Sequence, residues 1–471
     1  MMENHKHLGL FLDHYELSMA QGYFLTGRDN IPCNFDYFFR TNPFGAGFTV
    51  FAGLQELLEM IGDFKFDSEA IDYLHKIGFK SDFLEFLKTF SFKGSIFSAR
   101  EGEVVFANEP ILSAQGTIIE TQLLETLILN VLNFQSLIAT KANRMRHSAG
   151  KRKLMEFGMR RAQGAAAISA SRAAVIGGMD STSNVMSAFL YGLKSSGTQA
   201  HSWIQSFEDE LTSFRKFAET HPDNCILLVD TYQTLKSGVP NAIIVAKEMQ
   251  HKGQQLFAIR LDSGDLAYLS KKARAMLDAA GLKDVKIVAS NRLDEHLIKS
   301  LIQQGAPIDL FGVGTSLITA HPDAALDGVY KLSVINDRPT IKLSEDYAKI
   351  TLPGNKKIVR YFNSDSQFCA DGIVLNDEKE ENVDIIYHPQ YADKKSLVKG
   401  LKSETLVSKV LENGNVLAEK KTIAEISDYR KLRVSQLPEE FQRFEYPHVY
   451  KVGLSKRLIR LRDELIAGAG N

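Results

Sequence analysis

Ile226-Leu227-Leu228-Val229-Asp230-Thr231-Tyr232 is an apolar run too short for a buried helix, ending in an acid and two polar residues. The pattern returns along the chain. Residues 256–261 lead into Asp262-Ser263-Gly264-Asp265, residues 286–289 into Ser290-Asn291-Arg292, and residues 308–313 into Gly314-Thr315-Ser316 after Gly312-Val313. Between the runs lie helical patterns at 240–250, 265–280 and 291–304, stopped near Gly253, Gly281 and Gly305, because glycine accepts the left-handed conformation that ends a helix. Strands that recur through helices at this spacing predict βαβ units, a parallel sheet and an α/β fold. The polar turns then share the carboxyl end of the sheet, which is where barrels and open α/β sheets alike carry their sites.

Outward from this stretch the patterns change. Residues 92–112 hold two strand-like runs around Gly102, read as a hairpin or small sheet, and residues 331–360 are strand-like with Pro339 and Pro353 marking turns. These flanks are expected to pack as one β-rich domain. Residues 439–468 read as helical, with a basic, solvated face over 451–462.

Bulk composition excludes several classes of function. Of 471 residues, 44% are hydrophobic and 24% charged, which describes a folded chain without long disorder. Basic and acidic side chains number 56 and 57, for a net charge of -1, so no global field draws the protein to nucleic acid or anionic membrane. Cys33, Cys225 and Cys369 are too far apart and too few for a disulfide framework or a CxxC metal site, and the expected home is a reducing cytoplasm. No signal peptide is expected, because residues 1–10 carry charge and histidines but no long apolar run, and no membrane span, because Glu120, Glu125 and Arg172 interrupt the most apolar stretches.

Three common phosphate signatures fail. Gly312-Val313-Gly314 lacks the third glycine of a dinucleotide fingerprint, no GxxxxGK[ST] loop occurs, and residues 226–230 lack the paired acids and glycine-threonine cradle of a type I phosphoribosyltransferase. Gly312 and Gly314 before Thr315 still make a candidate nest for an anion, since backbone N–H groups can approach it where no side chain intrudes. Phe157-Gly158-Met159-Arg160-Arg161 sets a ring three residues from a guanidinium, suited to a flat heterocycle and an anion. His201 lies in Gly197-Thr198-Gln199-Ala200-His201-Ser202-Trp203, among small residues that suggest an accessible loop.

With Asp13-His14-Tyr15-Glu16-Leu17, Phe39-Arg40-Thr41-Asn42-Pro43-Phe44, Glu156-Phe157-Gly158-Met159-Arg160-Arg161-Ala162-Gln163-Gly164, Ser181-Thr182-Ser183-Asn184-Val185 and Arg260-Leu261-Asp262-Ser263-Gly264-Asp265, these segments resemble the nicotinate phosphoribosyltransferases, a type II phosphoribosyltransferase family. The likeness covers residues 12–360 and weakens beyond; His14 stands where the family usually has an apolar residue. It implies an irregular α/β barrel of seven or eight strands beside a β-rich N-terminal α/β domain. The expected division is 1–125 as the β-rich domain, 126–345 as the barrel, and 346–471 as a C-terminal segment packed on the first.

The resemblance also implies an activity: ATP-coupled transfer of phosphoribose from phosphoribosyl pyrophosphate (PRPP) to nicotinic acid, for NAD synthesis, which makes the enzyme formally a ligase. His201 is the implied phosphohistidine. Tyr15 from a partner subunit and Phe157 would stack on the base, with Arg260, Asp180 and Ser181 lining its pocket. Asp230 and Asp262 would hold ribose hydroxyls or Mg²⁺, Gly312, Gly314 and Thr315 the 5′-phosphate, and Arg40, Arg160, Lys342 and Lys349 pyrophosphate or ATP phosphates. A homodimer with shared sites is implied. The alternatives are a nicotinamide-specific relative, against which the Arg-Arg-Ala-Gln-Gly continuation speaks, a quinolinate enzyme, which lacks the ATP step, and a non-catalytic nucleotide-binding barrel.

Overall fold

A computed structural model describes residues 6–345, 349–391 and 393–469. The chain divides into two compact units, Lys141–Ala324 and the combination of Met1–Thr140 with Ala325–Asn471. Residues 325–345 fall in the latter unit because strand Gly328–Ile335 pairs along its length with Pro32–Phe39.

In unit Lys141–Ala324 six parallel strands form one half-barrel sheet: β1 (Lys153–Glu156), β2 (Ser181–Thr182), β3 (Ile226–Leu228), β4 (Ala258–Leu261), β5 (Lys286–Ser290) and β6 (Leu310–Val313), in the order β2-β1-β6-β5-β4-β3. The four strands read from apolar runs are all present. Helices Val239–His251, Leu266–Ala279 and Glu295–Gln303 lie between them, the last two capped by Asp265 and Asp294 side chains. Six strands are fewer than the seven or eight expected. Beyond β2 the described chain continues the sheet with a single bridge, Thr182 to Ser195, and then runs through helices rather than a further strand. Side chains alternate along each strand, so Met155, Ile226, Ala258, Val288 and Leu310 cluster in the interior and Phe157 packs against them.

The other unit is rich in strands, with helices such as His14–Leu25 and Leu54–Asp63 interspersed. One antiparallel sheet has seven strands, with Pro32–Phe39 between Gly328–Ile335 and Leu112–Thr117. A second sheet has six strands, built around Lys356–Phe362 and Phe368–Leu375, and is mixed because Phe368–Leu375 pairs parallel with Val452–Leu454. Of the hairpin or small sheet expected around Gly102, both runs enter sheets but do not pair with each other as a hairpin. Ser95–Ala99 pairs with Leu112–Thr117 and Val407–Glu412, whereas Val104–Val105 pairs with Thr49–Val50, because the Gly102 turn bonds to Phe51 instead of folding the two runs together. Pro339 marks no turn either. Asn336 and Asp337, at φ 50° and 59°, make the two-residue turn, and Pro339 sits on the edge strand, where a missing N–H costs nothing.

The stretch 439–468 is helical in a short 3-10 turn at Glu439–Phe441 and again at its end. Strand Val452–Leu454 precedes helix Lys456–Ala469. Arg462 on the expected solvated face is buried, donating to the Pro389 carbonyl and to Asp463. Among the described residues, one helical stretch, 118–149, is long and apolar enough to cross a membrane by composition, but 72% of its apolar window is buried inside the fold, as in a core helix.

Candidate active site

Counting by twos from the interior cluster toward the carboxyl ends gives Arg260, Ser290, Gly312 and Phe157, then Asp230, Asp262 and Gly314. These residues do converge. The Arg260 guanidinium is the hub: Nε donates to Ser290 Oγ at 2.9 Å, Nη1 to Thr198 Oγ1 at 2.6 Å and Nη2 to Asp262 Oδ1 at 2.8 Å. It also lies 5.7 Å from the centroid of the Phe157 ring. Asp230 Oδ2 accepts from the Asp262 backbone N–H at 2.7 Å and from Ser263 Oγ at 2.6 Å, while its Oδ1 is buried with no hydrogen-bond partner. A lone buried carboxylate oxygen is costly to leave unmatched, and it marks where a donor or cation would be received.

His201 begins the short helix His201–Gln205. Its Nδ1 is 3.1 Å from Thr231 Oγ1 and its Nε2 is 3.8 Å from Asp262 Oδ2. Burial works to raise the Asp262 carboxyl, but the Arg260 charge, the bonds from Ser290 and Arg260 and the nearby His201 outweigh it, holding Asp262 below the usual carboxylate range. Asp262 is thus held as an anion between a guanidinium and an imidazole.

The glycine turn has a packing role that its spacing concealed. A Cβ on Gly312 would stand 2.6 Å from two carbons of the Phe157 ring, and one on Gly314 would stand 3.2 Å from the Phe157 carbonyl oxygen. The absence of side chains lets the ring settle against the end of β6. Arg160, in the turn Met159–Arg161, is exposed. Ser181 pairs with Met155 and shares its interior side. Thr315 opens the turn Thr315–Ile318 after Gly314.

Asp180 lies elsewhere. It precedes β2 at the amino ends of the strands, where it accepts from the Leu154 N–H and is paired with Lys153 at 3.0 Å and with Arg146. Burial raises its carboxyl, and these three partners more than reverse that. Its place is one strand length from Phe157, so it does not line the pocket at the carboxyl ends.

In the other unit, Tyr15 projects from helix His14–Leu25 with 46% of its surface exposed. Arg40 and Lys349 line one cavity of about 1070 Å³, together with Lys331 and Lys356. Arg40 is 3.7 Å from Asp327, and Lys356 is neutralised by Asp36 at 2.7 Å. Lys342 is not in the lining; its Nζ donates to the Leu343 carbonyl at 3.4 Å.

Sequence reading missed Thr198, Thr231, Ser263, Ser290 and Lys331 as site residues. The first four lie in segments already singled out, and Ser290 was reachable by counting two from Val288. Burial raises the Cys33 thiol to about 11 and the Cys225 thiol to about 12, which removes both as nucleophiles near neutral pH.

A ring, a guanidinium, two acids and a histidine gather at the carboxyl ends of parallel strands, the end at which α/β-barrel enzymes carry their sites. Comparison with known proteins makes the assignment specific. Residues 152–372 match the nicotinate phosphoribosyltransferase family, residues 10–133 its N-terminal domain and residues 355–462 its C-terminal domain. The nicotinate phosphoribosyltransferase of Bacillus subtilis is 44% identical over 458 residues, 95% of this chain and 93% of that protein. The Homo sapiens protein of the same name is 31% identical over 98% of this chain and 97% of its own. The crystal structure of human nicotinic acid phosphoribosyltransferase superposes with a TM-score of 0.87 at 29% identity, covering 97% of this chain and all of that one. A nicotinate-nucleotide pyrophosphorylase from Pyrococcus furiosus, at 24% identity and a TM-score of 0.73, shares the fold. The chain belongs to the nicotinate phosphoribosyltransferase family.

Proposed function

We propose that the protein transfers phosphoribose from PRPP to nicotinic acid, forming nicotinate mononucleotide and pyrophosphate with ATP hydrolysis coupled to the transfer. The observation that carries this is the Phe157 ring beside Arg260, adjoining Asp230 and Asp262. The pyridine nitrogen of nicotinate is already a nucleophile, so no general base is needed. Phe157 and Arg260 hold the base in line while the bond from the anomeric carbon to pyrophosphate breaks. Positive charge then grows on the ribose, and the two carboxylates stabilise it.

The Arg260 bond to Thr198 is one that a substrate carboxylate can replace without unpairing Asp262, which is held through Nη2. Nicotinamide offers no charge there, a difference of about 1.5–3 kcal/mol. The expected kcat/KM for nicotinamide is therefore lower by about tenfold to a hundredfold. Incubation with PRPP, Mg²⁺ and either base, with and without ATP, followed by identification of the mononucleotide, tests the whole assignment; equal efficiency on the amide would sink it.

His201 is the proposed phosphoryl acceptor. In the tautomer whose Nδ1–H donates to Thr231 Oγ1, 3.1 Å away, the Nε2 lone pair is the nucleophile. A bond forms from Nε2 to the γ-phosphorus of ATP, the bond to the bridging oxygen breaks, and ADP leaves. A phosphohistidine adds charge beside Asp262 and can order neighbouring loops. His201→Ala should lose acid-labile phosphorylation and PRPP-stimulated ATP hydrolysis while keeping slow, ATP-independent nucleotide formation. Full ATP stimulation in that variant would exclude the role.

Mg²⁺ fits the donor set. Among the described residues no three carboxylate, histidine or cysteine side chains gather as a metal cage, but Mg²⁺ ordinarily takes one or two carboxylates and fills the rest from phosphate and water. Asp230, through its unmatched oxygen, and Asp262 would hold it, and when bound it would neutralise charge on the leaving pyrophosphate. The cations Arg40, Lys331 and Lys349 suit phosphates. A homodimer is supported by Val185, Met186, Phe189 and Leu190, all exposed on the helix Val185–Tyr191, with Phe189 83% exposed. Three free cysteines are compatible with the cytoplasm. Neither the nicotinamide-specific reading nor the non-catalytic barrel is favoured by the relatives.

A further inference from the structure

Glu156 ends β1 immediately before Phe157 and has no exposed surface. Its backbone alternation turns it away from the interior, toward helix Ala166–Gly177. There, among the described residues, the carboxylate is matched by neutral donors. Oε1 accepts from the Gly158 backbone N–H, and Oε2 accepts from Ser171 Oγ at 2.9 Å and Thr182 Oγ1 at 2.5 Å. The network goes further: Asn184 bonds to Ser171 and to the Thr182 hydroxyl, and its own side chain caps the helix Val185–Tyr191. On the opposite side of the same two residues, the Phe157 N–H is fixed to the Val313 carbonyl at 2.6 Å, and the ring fills the space left by Gly312.

We infer that Glu156 is a positioning residue for base binding: its carboxylate clamps the Phe157-Gly158 turn to β2 and to the helix behind it, so that the Phe157 ring is held at the angle at which it stacks on the substrate base. The inference rests on reading Phe157 as the stacking partner. Burying a carboxylate against three neutral donors is a demanding way to join two turns, and apolar packing would serve if only stability were at stake. What the carboxylate adds is direction, because both oxygens are committed and the turn has one orientation that satisfies them. Errors of about 1 Å in the placement of a reactant are expensive in rate.

The test uses the intact enzyme and measures KM for nicotinate and for PRPP separately, alongside the unfolding midpoint. Glu156→Gln retains a carbonyl oxygen for the Gly158 N–H, and its amide can donate to the two hydroxyl oxygens, so it should stay within about threefold of wild type in both KM values. Glu156→Ala should raise KM for nicotinate by about tenfold or more, and Thr182→Val, which keeps shape and removes one donor, by about threefold, with KM for PRPP little changed in each. If Glu156→Ala fails to fold, Thr182→Val and Ser171→Ala carry the test. Parallel rises in both KM values, or none in nicotinate, would overturn the inference. Phe157→Ala separates the two layers of argument: unchanged nicotinate KM in that variant defeats the stacking reading itself, whereas a rise in Phe157→Ala without one in the Glu156 and Thr182 variants defeats only the clamp.

Discussion

Asp262→Asn is expected to remove nearly all turnover, by about a hundredfold to a thousandfold in kcat, because charge stabilisation of this kind is commonly the largest single contribution to a transition state. The substitution keeps the shape but loses the anion that Arg260, Ser290 and His201 surround. Tyr15→Ala should also be nearly inactive, through lost stacking on the base. The two lesions differ in where they fall if the site is shared across a two-fold axis. In a mixed dimer one site then carries both lesions and the other carries neither. Random exchange makes about half the dimers mixed, so an equimolar mixture unfolded and refolded together should recover about a quarter of wild-type activity per total site. Each variant refolded alone is the control. Confirmed heterodimers without recovery would place Tyr15 in its own subunit's site.

The second large effect concerns stability. Arg360 has no exposed side-chain surface and is held by Asp371 through Nε at 3.0 Å and Nη2 at 2.6 Å, by Glu103 through Nη1 at 2.8 Å, and by the Val104 carbonyl at 2.8 Å. Its guanidinium also lies 4.2 Å from the centroid of the Phe368 ring. Arg433 shares Glu103, and Tyr450 donates to Asp371. Burial, and after it the neighbouring Asp371, push Glu109 well above the ordinary carboxylate range. Arg360→Met would strand Asp371 without a cation, and breaking such a buried pair costs about 3–5 kcal/mol. Chemical denaturation of the variant should show a loss of that size, and Arg360→Met combined with Asp371→Asn should recover part of it. A loss below about 1 kcal/mol would mean the network is dispensable.

Much of the barrel was legible because it depends on short-range pattern. Apolar runs such as Ile226-Leu227-Leu228 can only be strands at that length, and the glycines at 253, 281 and 305 stop helices by their own backbone freedom, at φ 72°, 73° and 70°. The β-rich flanks were legible as strands but not in their pairing. Nothing in residues 95–107 states that one run will pair with Leu112–Thr117 and the other with Thr49–Val50, because partner choice between strands is settled by contacts distant in sequence.

The site divides in the same way. The sequence by itself determined which residue types stand after each strand, and alternation then sends Arg260, Asp262, Gly312 and Phe157 to one interior, since the period of two is a property of the extended backbone. Only the tertiary structure decided that Asp180 lies at the amino ends with Arg146 and Lys153, that Gly312 makes room for a ring, that Lys331 joins Arg40 and Lys349 in one cavity while Lys342 does not, and that Glu156 faces Ser171 and Thr182. In each case the partner comes from a different element, and its distance is set by how strands and helices pack rather than by any spacing along the chain.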